Sequence, residues 1–213
     1  MIYILSEKVY DGAENLPSIM IEFKDNFVSL EGYDALVFSS KNGVKAIEKI
    51  NPKWKKIPAY SIGQGTSQAI VELGGEVVYS ARSSYGDDFA REIRERLSGK
   101  RVLFLRAKVV TSSLNTILKE AGVLLEEAVV YETKCTPCHE LKRPEKGAIM
   151  IFSSPSTIEC FFHCFSWDES YQAVVIGDKT ASFMPKNITY QQAQKQTIPS
   201  CIELAQKLSK KAL

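Results

Sequence analysis

The sequence predicts an α/β fold made of two similar doubly wound parallel-sheet domains. Short apolar runs rich in Val and Ile alternate with helical patterns along the chain, which is typical of parallel strands buried on both faces. A pair of loop motifs also occurs twice. Phe38-Ser39-Ser40 returns as Phe152-Ser153-Ser154, and Ile62–Thr66 returns as Ile176–Thr180, both at an offset of 114 residues (152 − 38 and 176 − 62). One offset shared by two separated motifs indicates a duplicated unit.

The strands are predicted from unbroken apolar runs, most of them followed by a turn and a helical pattern. A strand covered on both faces needs no polar alternation, and the runs have the length of ordinary strands rather than helices. In chain order the predicted strands are 2–5, 18–23, 35–38, 59–62, 76–79, 102–105, 127–131, 148–152, 173–176 and 188–190.

The clearest helices have apolar residues at helical spacing and charges on the other face. In 88–97 these are Phe89, Ile93 and Leu97, which recur every four residues. The pattern in 113–120 stops before Gly122, a residue that commonly follows a helix end. The third helix, 201–208, repeats the amphipathic pattern.

A weaker similarity between 1–7 and 100–106 divides the chain into two tandem copies of a short unit and a long unit. A sheet either pairs each short unit with its own long unit or exchanges them, and periodicity does not choose. In the exchanged arrangement, a domain at 31–131 is inserted into one made from 1–28 and 135–213. Connectors at about 28–32 and 130–136 then form a two-stranded hinge.

The composition excludes several classes of protein. A net charge of +2 is too small for a basic nucleic-acid binder, and no apolar run approaches the ~20 residues of a membrane span. Met1–Leu5 leads straight into a strand pattern without a charged leader, which favours a cytoplasmic protein. The five cysteines, an odd number, favour reduced thiols over a disulfide framework.

Two cysteine segments have suggestive spacings, but neither predicts a metal or cofactor. Cys135–His139 has the spacing of a c-type haem attachment or a thiol redox motif. Haem attachment requires export, and a redox thiol usually lies at a helix N-terminus, whereas this segment follows a strand and is typical of a linker. Cys160, His163 and Cys164 could bind zinc together with that segment, but the neighbouring phenylalanines favour an ordinary buried helix face.

The duplicated loops contain the candidate binding residues. Ligands bind outside the carboxyl ends of strands in open α/β sheets, and helix N-termini there attract anions. Each polar residue either caps a helix or binds a ligand directly. Four helix starts on two facing domains would form a cleft suited to a ligand with several carboxylates. The candidates are Ser39, Ser40, Asn42, Gly63, Thr66, Ser153, Ser154, Ser156, Gly177, Lys179 and Thr180.

The order and spacing of these motifs resemble the uroporphyrinogen-III synthase family. That family's series is strand-Phe-Ser-Ser, Ile-Gly-x-x-Thr, Val-Tyr-x-Thr, Phe-Ser-Ser-Pro-Ser and a second Ile-Gly-x-x-Thr. The corresponding segments here are Tyr33–Gly43, Ile62–Thr66, Val130–Thr133, Ile151–Ser156 and Ile176–Thr180. The resemblance implies the exchanged arrangement, with the active site in the cleft between the two domains.

The resemblance also implies a cofactor-independent lyase of haem biosynthesis. It would cyclise the linear tetrapyrrole hydroxymethylbilane with inversion of the terminal ring and loss of water. Tyr131 matches the family's hinge tyrosine and is the expected catalytic acid. The implied protein is a monomer without cofactor, metal, nucleic acid or membrane partner, and it leaves room for a transient contact with the preceding pathway enzyme.

Other classes of function are weighed against the synthase. A non-catalytic two-domain protein that binds an anionic small molecule would share the loops but would not need Tyr131. A receiver-like signalling domain requires acidic residues at strand ends, where this chain has Phe-Ser-Ser and Ile-Gly. A nucleotide-binding enzyme is disfavoured because neither a P-loop nor a Gly-x-Gly-x-x-Gly turn is present.

Overall fold

The computed structural model describes residues 1–6, 8–81 and 85–211, with the backbone alone for Lys211. Glu7, in the first short unit, and residues 212–213, at the end of the predicted discontinuous domain, lie outside this part. The chain forms two compact units. The discontinuous unit is Met1–Met20 with Lys134–Leu213, and the inserted unit is Ile21–Thr133. The chain passes into the inserted unit after Met20, before the predicted connector at about 28–32. It leaves that unit after Thr133, within the predicted connector at about 130–136.

Strands and helices alternate, and the predicted α/β class is confirmed. The strands are β1 (Ile2–Ile4), β2 (Glu14–Asn15), β3 (Ile19–Phe23), β4 (Ala35–Phe38), β5 (Ala59–Ile62), β6 (Val77–Ala81), β7 (Arg101–Ala107), β8 (Leu124–Cys135), β9 (Ile149–Phe152), β10 (Gln172–Val175) and β11 (Tyr190–Gln192). The α-helices are α1 (Lys41–Ile50), α2 (Gly63–Glu72), α3 (Gly86–Leu97), α4 (Leu114–Glu120), α5 (Pro155–Cys164), α6 (Asp178–Ala181) and α7 (Ile198–Lys211). Short 3-10 helices occupy Pro52–Lys56 and Cys138–Glu140.

The strand pairing chooses the exchanged arrangement. The discontinuous unit has the sheet order β11-β10-β9-β1-β2, and the inserted unit has β3-β8-β7-β4-β5-β6. β1 pairs in parallel with β9, and β7 pairs in parallel with β4. Each short unit therefore joins the sheet of the other copy's long unit, a choice that local sequence patterns cannot make.

Apolar residues pack against both faces of each sheet. In β4, Phe38 packs on one face with Trp54, while its neighbour Val37 packs on the other face with Phe89 and Phe104. Successive strand residues point to opposite faces, so an entirely apolar strand fills both cores at once. The second sheet has the same construction, with separate apolar clusters on its two faces.

β2, at Glu14–Asn15, is not predicted from the sequence, and three further strands differ from the sequence prediction. β8 extends from 124 to 135 rather than from 127 to 131, because it lies between β7 and β3 and pairs with both. β11 begins at Tyr190, and all three of its residues are exposed, because it is an edge strand. β3 alternates between half-buried and exposed residues for the same reason.

β3 and β8 run antiparallel as the chain passes between the two units. The Lys24 N–H donates to Val130 O at 3.0 Å, and the Thr136 N–H donates to Ser18 O at 3.0 Å. From Ser18 to Lys24 the residue number rises along the first segment, while that of the bonded residue falls from Thr136 to Val130. This opposite order is the antiparallel pattern. The first of these bonds lies within the inserted unit and the second within the discontinuous unit.

The prediction of five reduced thiols is wrong for four of them. Disulfides join Cys135 to Cys160 and Cys138 to Cys164, each with a Cα–Cα distance of 5.1 Å. The odd number of cysteines carried no information about which side chains meet when α5 packs beside the end of β8. Cys201 on α7 is the free thiol among them, and burial raises its pKa to about 11.

Candidate functional site

In the inserted unit, the predicted polar residues follow two neighbouring strands. Ser39, Ser40 and Asn42 come directly after β4, and Gly63 and Thr66 lie in the first turns of α2 after β5. β4 and β5 are parallel neighbours, so their carboxyl ends lie at the same sheet edge. The structure therefore brings these five residues to one edge of the inserted unit.

Ser40 links this edge to Tyr131. Its hydroxyl oxygen accepts from the Asn42 N–H at 3.2 Å and thereby caps α1. The Ser40 side chain is also hydrogen-bonded to the Tyr131 hydroxyl. Tyr131 is 7% exposed on β8, next to Ala107 at the end of β7. Capping and contact with the candidate acid are thus combined in one serine.

The environment of Tyr131 raises the pKa of its phenol. Burial is the main cause, because it disfavours the charged phenolate, and the hydrogen bond with Ser40 opposes the shift in part. At neutral pH the phenol is therefore protonated. A buried, protonated hydroxyl held by a serine has the chemistry of a weak proton donor.

In the discontinuous unit, the equivalent loop follows β9. Ser154 caps α5, and its hydroxyl accepts from the Thr157 N–H at 3.4 Å while the Thr157 hydroxyl oxygen accepts from the Ser154 N–H at 3.2 Å. Pro155 occupies the first helical position, where no N–H is needed. Ser153 and Ser156 beside this cap are half-buried.

Gly177, Lys179 and Thr180 follow β10, the parallel neighbour of β9. The structure thus brings them to the sheet edge that holds Ser153–Ser156. The helix there, α6, is four residues long, whereas α2 in the other copy has ten. Helices therefore start at all four loops, but α6 is a single turn that sums few peptide dipoles, so the positive end of its dipole is weaker than those of α1, α2 and α5.

Thr66 and Thr180 do not cap their helices. Both are buried inside the first turns, and the capping positions are Ile62 and Gly177, neither with a side-chain cap bond. Gly63 also differs from Gly177. It has a φ of +68°, and a Cβ added there would meet nothing within 4 Å, so a left-handed turn leaves open space beside α2.

The three ten-residue helices begin without carboxylates. α1, α2 and α5 have no acidic residue in the first turn, whereas α3 has Asp87 and Asp88 there. Acidic side chains usually lie near the positive end of a helix dipole. Their absence at the three loops leaves the positive helix ends available to an anionic ligand.

A groove of about 410 Å³ lies at the carboxyl end of β7, a strand on which the sequence motifs predict no site residue. Arg106 and Lys108 line this groove, and the Lys108 N–H donates to Tyr131 O at 2.9 Å. Arg106 Nε lies 2.7 Å from Glu127 Oε2. A basic residue on either side of the last strand residue, Ala107, is the sequence signal that predicts these neighbours of Tyr131.

Two further features bear on the kind of site. Among the described helices, none is long and apolar enough to cross a membrane. At the edge of the inserted unit that follows β4 and β5, the polar groups are hydroxyls, backbone amides and the Asn42 side chain, and the edge that follows β9 and β10 adds Lys179 together with the carboxylate of Asp178. Hydroxyls, amides and lysine suit carboxylates better than cations.

Comparison with known proteins identifies the family. The family model "Uroporphyrinogen-III synthase HemD" matches residues 13–203. The crystal structure of uroporphyrinogen-III synthetase from Helicobacter pylori is similar, with 30% sequence identity and a TM-score of 0.84, covering 97% of this chain and 98% of that one.

A second solved structure is more distant. A mutant uroporphyrinogen III synthase from the thermophilic bacterium Thermus thermophilus shares the fold at 10% identity and a TM-score of 0.58, covering 100% of this chain and 99% of that one. No curated protein matches the chain. The family match over most of the chain is decisive, and the protein belongs to the uroporphyrinogen-III synthase family.

Proposed function

We propose that this protein closes linear hydroxymethylbilane into uroporphyrinogen III, inverting the terminal pyrrole ring and releasing water. The observation that carries the proposal is the family match over residues 13–203. The reaction places the enzyme in haem biosynthesis, as a lyase that acts on a small linear tetrapyrrole.

The reaction makes two demands on the protein. The terminal hydroxyl must leave as water, which requires a proton and produces a cationic azafulvene. The flexible chain must then be held so that the substituted carbon of the last ring attacks. Orientation of this kind supplies large rate effects, and proton donation a smaller one. No oxidation or reduction occurs, so the chemistry requires no redox cofactor.

Tyr131 is proposed as the proton donor. Its phenol is protonated at neutral pH because burial raises its pKa, and its bond with Ser40 orients the hydroxyl. As the carbon–oxygen bond of the substrate breaks, the phenol proton passes to the departing oxygen and water is released. The hydrogen bond with Ser40 stabilises the phenolate left behind.

The loops are proposed to bind the carboxylates of the substrate. Helix starts free of acidic residues, together with serine hydroxyls, support this role. The glycines allow the substrate to approach the backbone closely. The proposed binding residues are Ser39, Ser40, Asn42, Gly63, Thr66, Ser153, Ser154, Ser156, Gly177, Lys179 and Thr180.

We also propose that the enzyme acts as a cytoplasmic monomer. A transient contact with the enzyme that makes hydroxymethylbilane would limit spontaneous closure of this unstable substrate. Light scattering of the purified protein tests the monomeric state.

The test of the proposed function is the isomer that the protein produces. Purified protein is incubated with freshly generated hydroxymethylbilane, and the oxidised type I and type III uroporphyrins are separated by chromatography. We expect type III to predominate, because ring inversion does not occur in spontaneous closure.

Type I product alone would overturn the synthase proposal. The protein would then be better described as a two-domain binding protein for an anionic small molecule. A binding protein would use the same loops but would not need the buried pair of Tyr131 and Ser40. We therefore favour the enzyme.

A further inference from the structure

Four cysteines converge in the discontinuous unit, outside the proposed active site. Cys135 is the last residue of β8, and Cys138 begins the 3-10 helix that follows. Cys160 and Cys164 lie one turn apart on α5. Each disulfide joins one residue of the first pair to one of the second. The two bridges therefore lie side by side between the same two segments.

The spacing of these cysteines is also that of a structural zinc site. The chain places two residues between Cys135 and Cys138 and three between Cys160 and Cys164. Structural zinc is bound tetrahedrally by four side chains that come in such closely spaced pairs. Residues four apart on a helix have Cβ atoms roughly 5–6 Å apart, so both helix thiols reach one ion.

Zinc–sulfur bonds of about 2.3 Å in a tetrahedron place the sulfurs about 3.8 Å apart. Within each bridged pair the Cα atoms are 5.1 Å apart, so the two side chains of each pair already point to a common place. Cys164 Sγ also lies 3.8 Å from Thr136 O, so the two segments are already in contact.

We propose that the reduced protein binds one zinc ion through the thiolates of Cys135, Cys138, Cys160 and Cys164, and that the two disulfides are the oxidised form of the same site. With the thiols bonded in pairs, no group of three metal-binding side chains is present among the described residues. Reduction supplies four donors at one place. This proposal replaces the expectation of no metal.

The chemistry balances in two steps. Each protein disulfide takes two electrons and two protons from a dithiol reductant, which is itself oxidised to a disulfide. The four thiols then release four protons as their sulfurs bind Zn²⁺. Cys138 is exposed, while Cys160 is 4% exposed, so the reductant and the ion enter from the Cys138 side.

In either redox state the cluster fastens the end of β8 to α5, the helix whose first turn contains Ser156.

The experiment titrates the reduced protein with cobalt, a spectroscopic probe for zinc sites. The whole chain is reduced with dithiothreitol and desalted without oxygen. Complete reduction is verified by an assay that finds all five thiols in denaturant. We expect one Co²⁺ per chain, with the visible spectrum of a tetrahedral thiolate complex, and displacement of that Co²⁺ by one equivalent of Zn²⁺.

The variants identify the ligands. Cys138→Ser and Cys164→Ser should each weaken Co²⁺ binding by at least about tenfold. A loss of that size already follows from changes to residues that only contact the metal ligands. Cys201→Ser is the matched control, because this buried thiol on α7 lies outside the cluster, and it should bind as the wild type does. Fully reduced protein that binds no cobalt, or an unchanged spectrum in both cluster variants, would overturn the proposal.

A measurement on the wild type covers the case in which a variant does not fold. Zn²⁺ should slow alkylation of the four cluster cysteines, read by peptide mass spectrometry, and should leave the rate at Cys201 unchanged. Equal alkylation of the cluster with and without Zn²⁺ would also overturn the proposal.

Discussion

At the residue scale, the pair of Tyr131 and Ser40 combines local structure with the proposed chemistry. Ser40 follows β4, caps α1 and is hydrogen-bonded to the phenol. Both residues are candidates from the sequence, from which capping and ligand binding remain alternatives for the serine. The structure shows that one hydroxyl group has both kinds of partner, because β4 and β8 each neighbour β7.

Replacing Tyr131 by Phe removes the proposed acid with little change in shape. We expect kcat to fall by about 10²-fold or more, the usual contribution of a general acid. The matched control is Tyr171→Phe, which removes another hydroxyl that donates to Pro144 O at 2.7 Å in the discontinuous unit. The control should lose about 1 kcal/mol of unfolding free energy and retain kcat. Full turnover in Tyr131→Phe would assign the proton to another donor.

Replacing Ser40 by Ala separates its two roles. Loss of the cap should cost about 1 kcal/mol of unfolding free energy. The pKa of Tyr131 should rise further, because the lost bond is the one that lowers it. NMR of ¹³C-labelled tyrosine, with Tyr131→Phe to assign the signal, measures the pKa. Thr197→Ala removes a hydroxyl that accepts from the Ser200 N–H and is the control. An unchanged Tyr131 pKa in Ser40→Ala would contradict the assigned contact.

At the element scale, α1 and α2 present their loops differently. α1 lies so close to β7 that a Cβ on Gly43 would come within 2.9 Å of Leu105 O. α2 leaves open space at Gly63 and Gly65. The first helix is therefore held by backbone contact with the sheet, and the second leaves room at its start.

Two glycine substitutions test this difference. Gly43→Ala should lower the unfolding free energy by about 1–3 kcal/mol, because α1 must move away from the rigid Leu105 carbonyl. Gly65→Ala, in α2, should raise it by about 0.4–1 kcal/mol, because the methyl meets nothing and the unfolded chain loses freedom. Urea unfolding measures both. Equal effects would mean that α1 is free to shift.

At the scale of the whole molecule, the chain passes from one unit to the other through the paired strands β3 and β8. Ion pairs on the side of the inserted unit stabilise this strand pairing. Glu132 lies 2.8 Å from both Lys24 Nζ and Lys108 Nζ. The hydrogen bonds from Lys108 and Lys24 lower the pKa of Glu132 to about 2. The carboxylate thus joins the end of β3 to β8 and to the chain beyond β7.

This carboxylate should contribute to stability in a defined pH range. Its pKa is lower in the folded than in the unfolded protein, where about 4.3 is usual. The contribution is complete above the unfolded value and is lost as the pH falls towards 2. Glu132→Gln should therefore lower the urea midpoint at about pH 6, and the difference from the wild type should narrow at about pH 3. A constant difference would contradict the shifted pKa.

Much of the architecture can be predicted from the sequence because it depends on local patterns. Apolar runs such as Ala35–Phe38 predict strands because such segments require burial on both faces. The repeated loops predict two similar units because equal spacing reflects equal structure. The candidate residues on both sheet edges follow from the same rule, since parallel strands end together.

Other features were decided by tertiary structure, because they depend on which distant segments meet. The exchange of β1 and β7 between sheets, the bond between Ser40 and Tyr131, and the pairing of four cysteines join residues far apart in the chain. The sequence by itself determined the strands, the duplicated loops and the family. Only packing decided which segments became neighbours, since contact free energy depends on distance in space rather than along the chain.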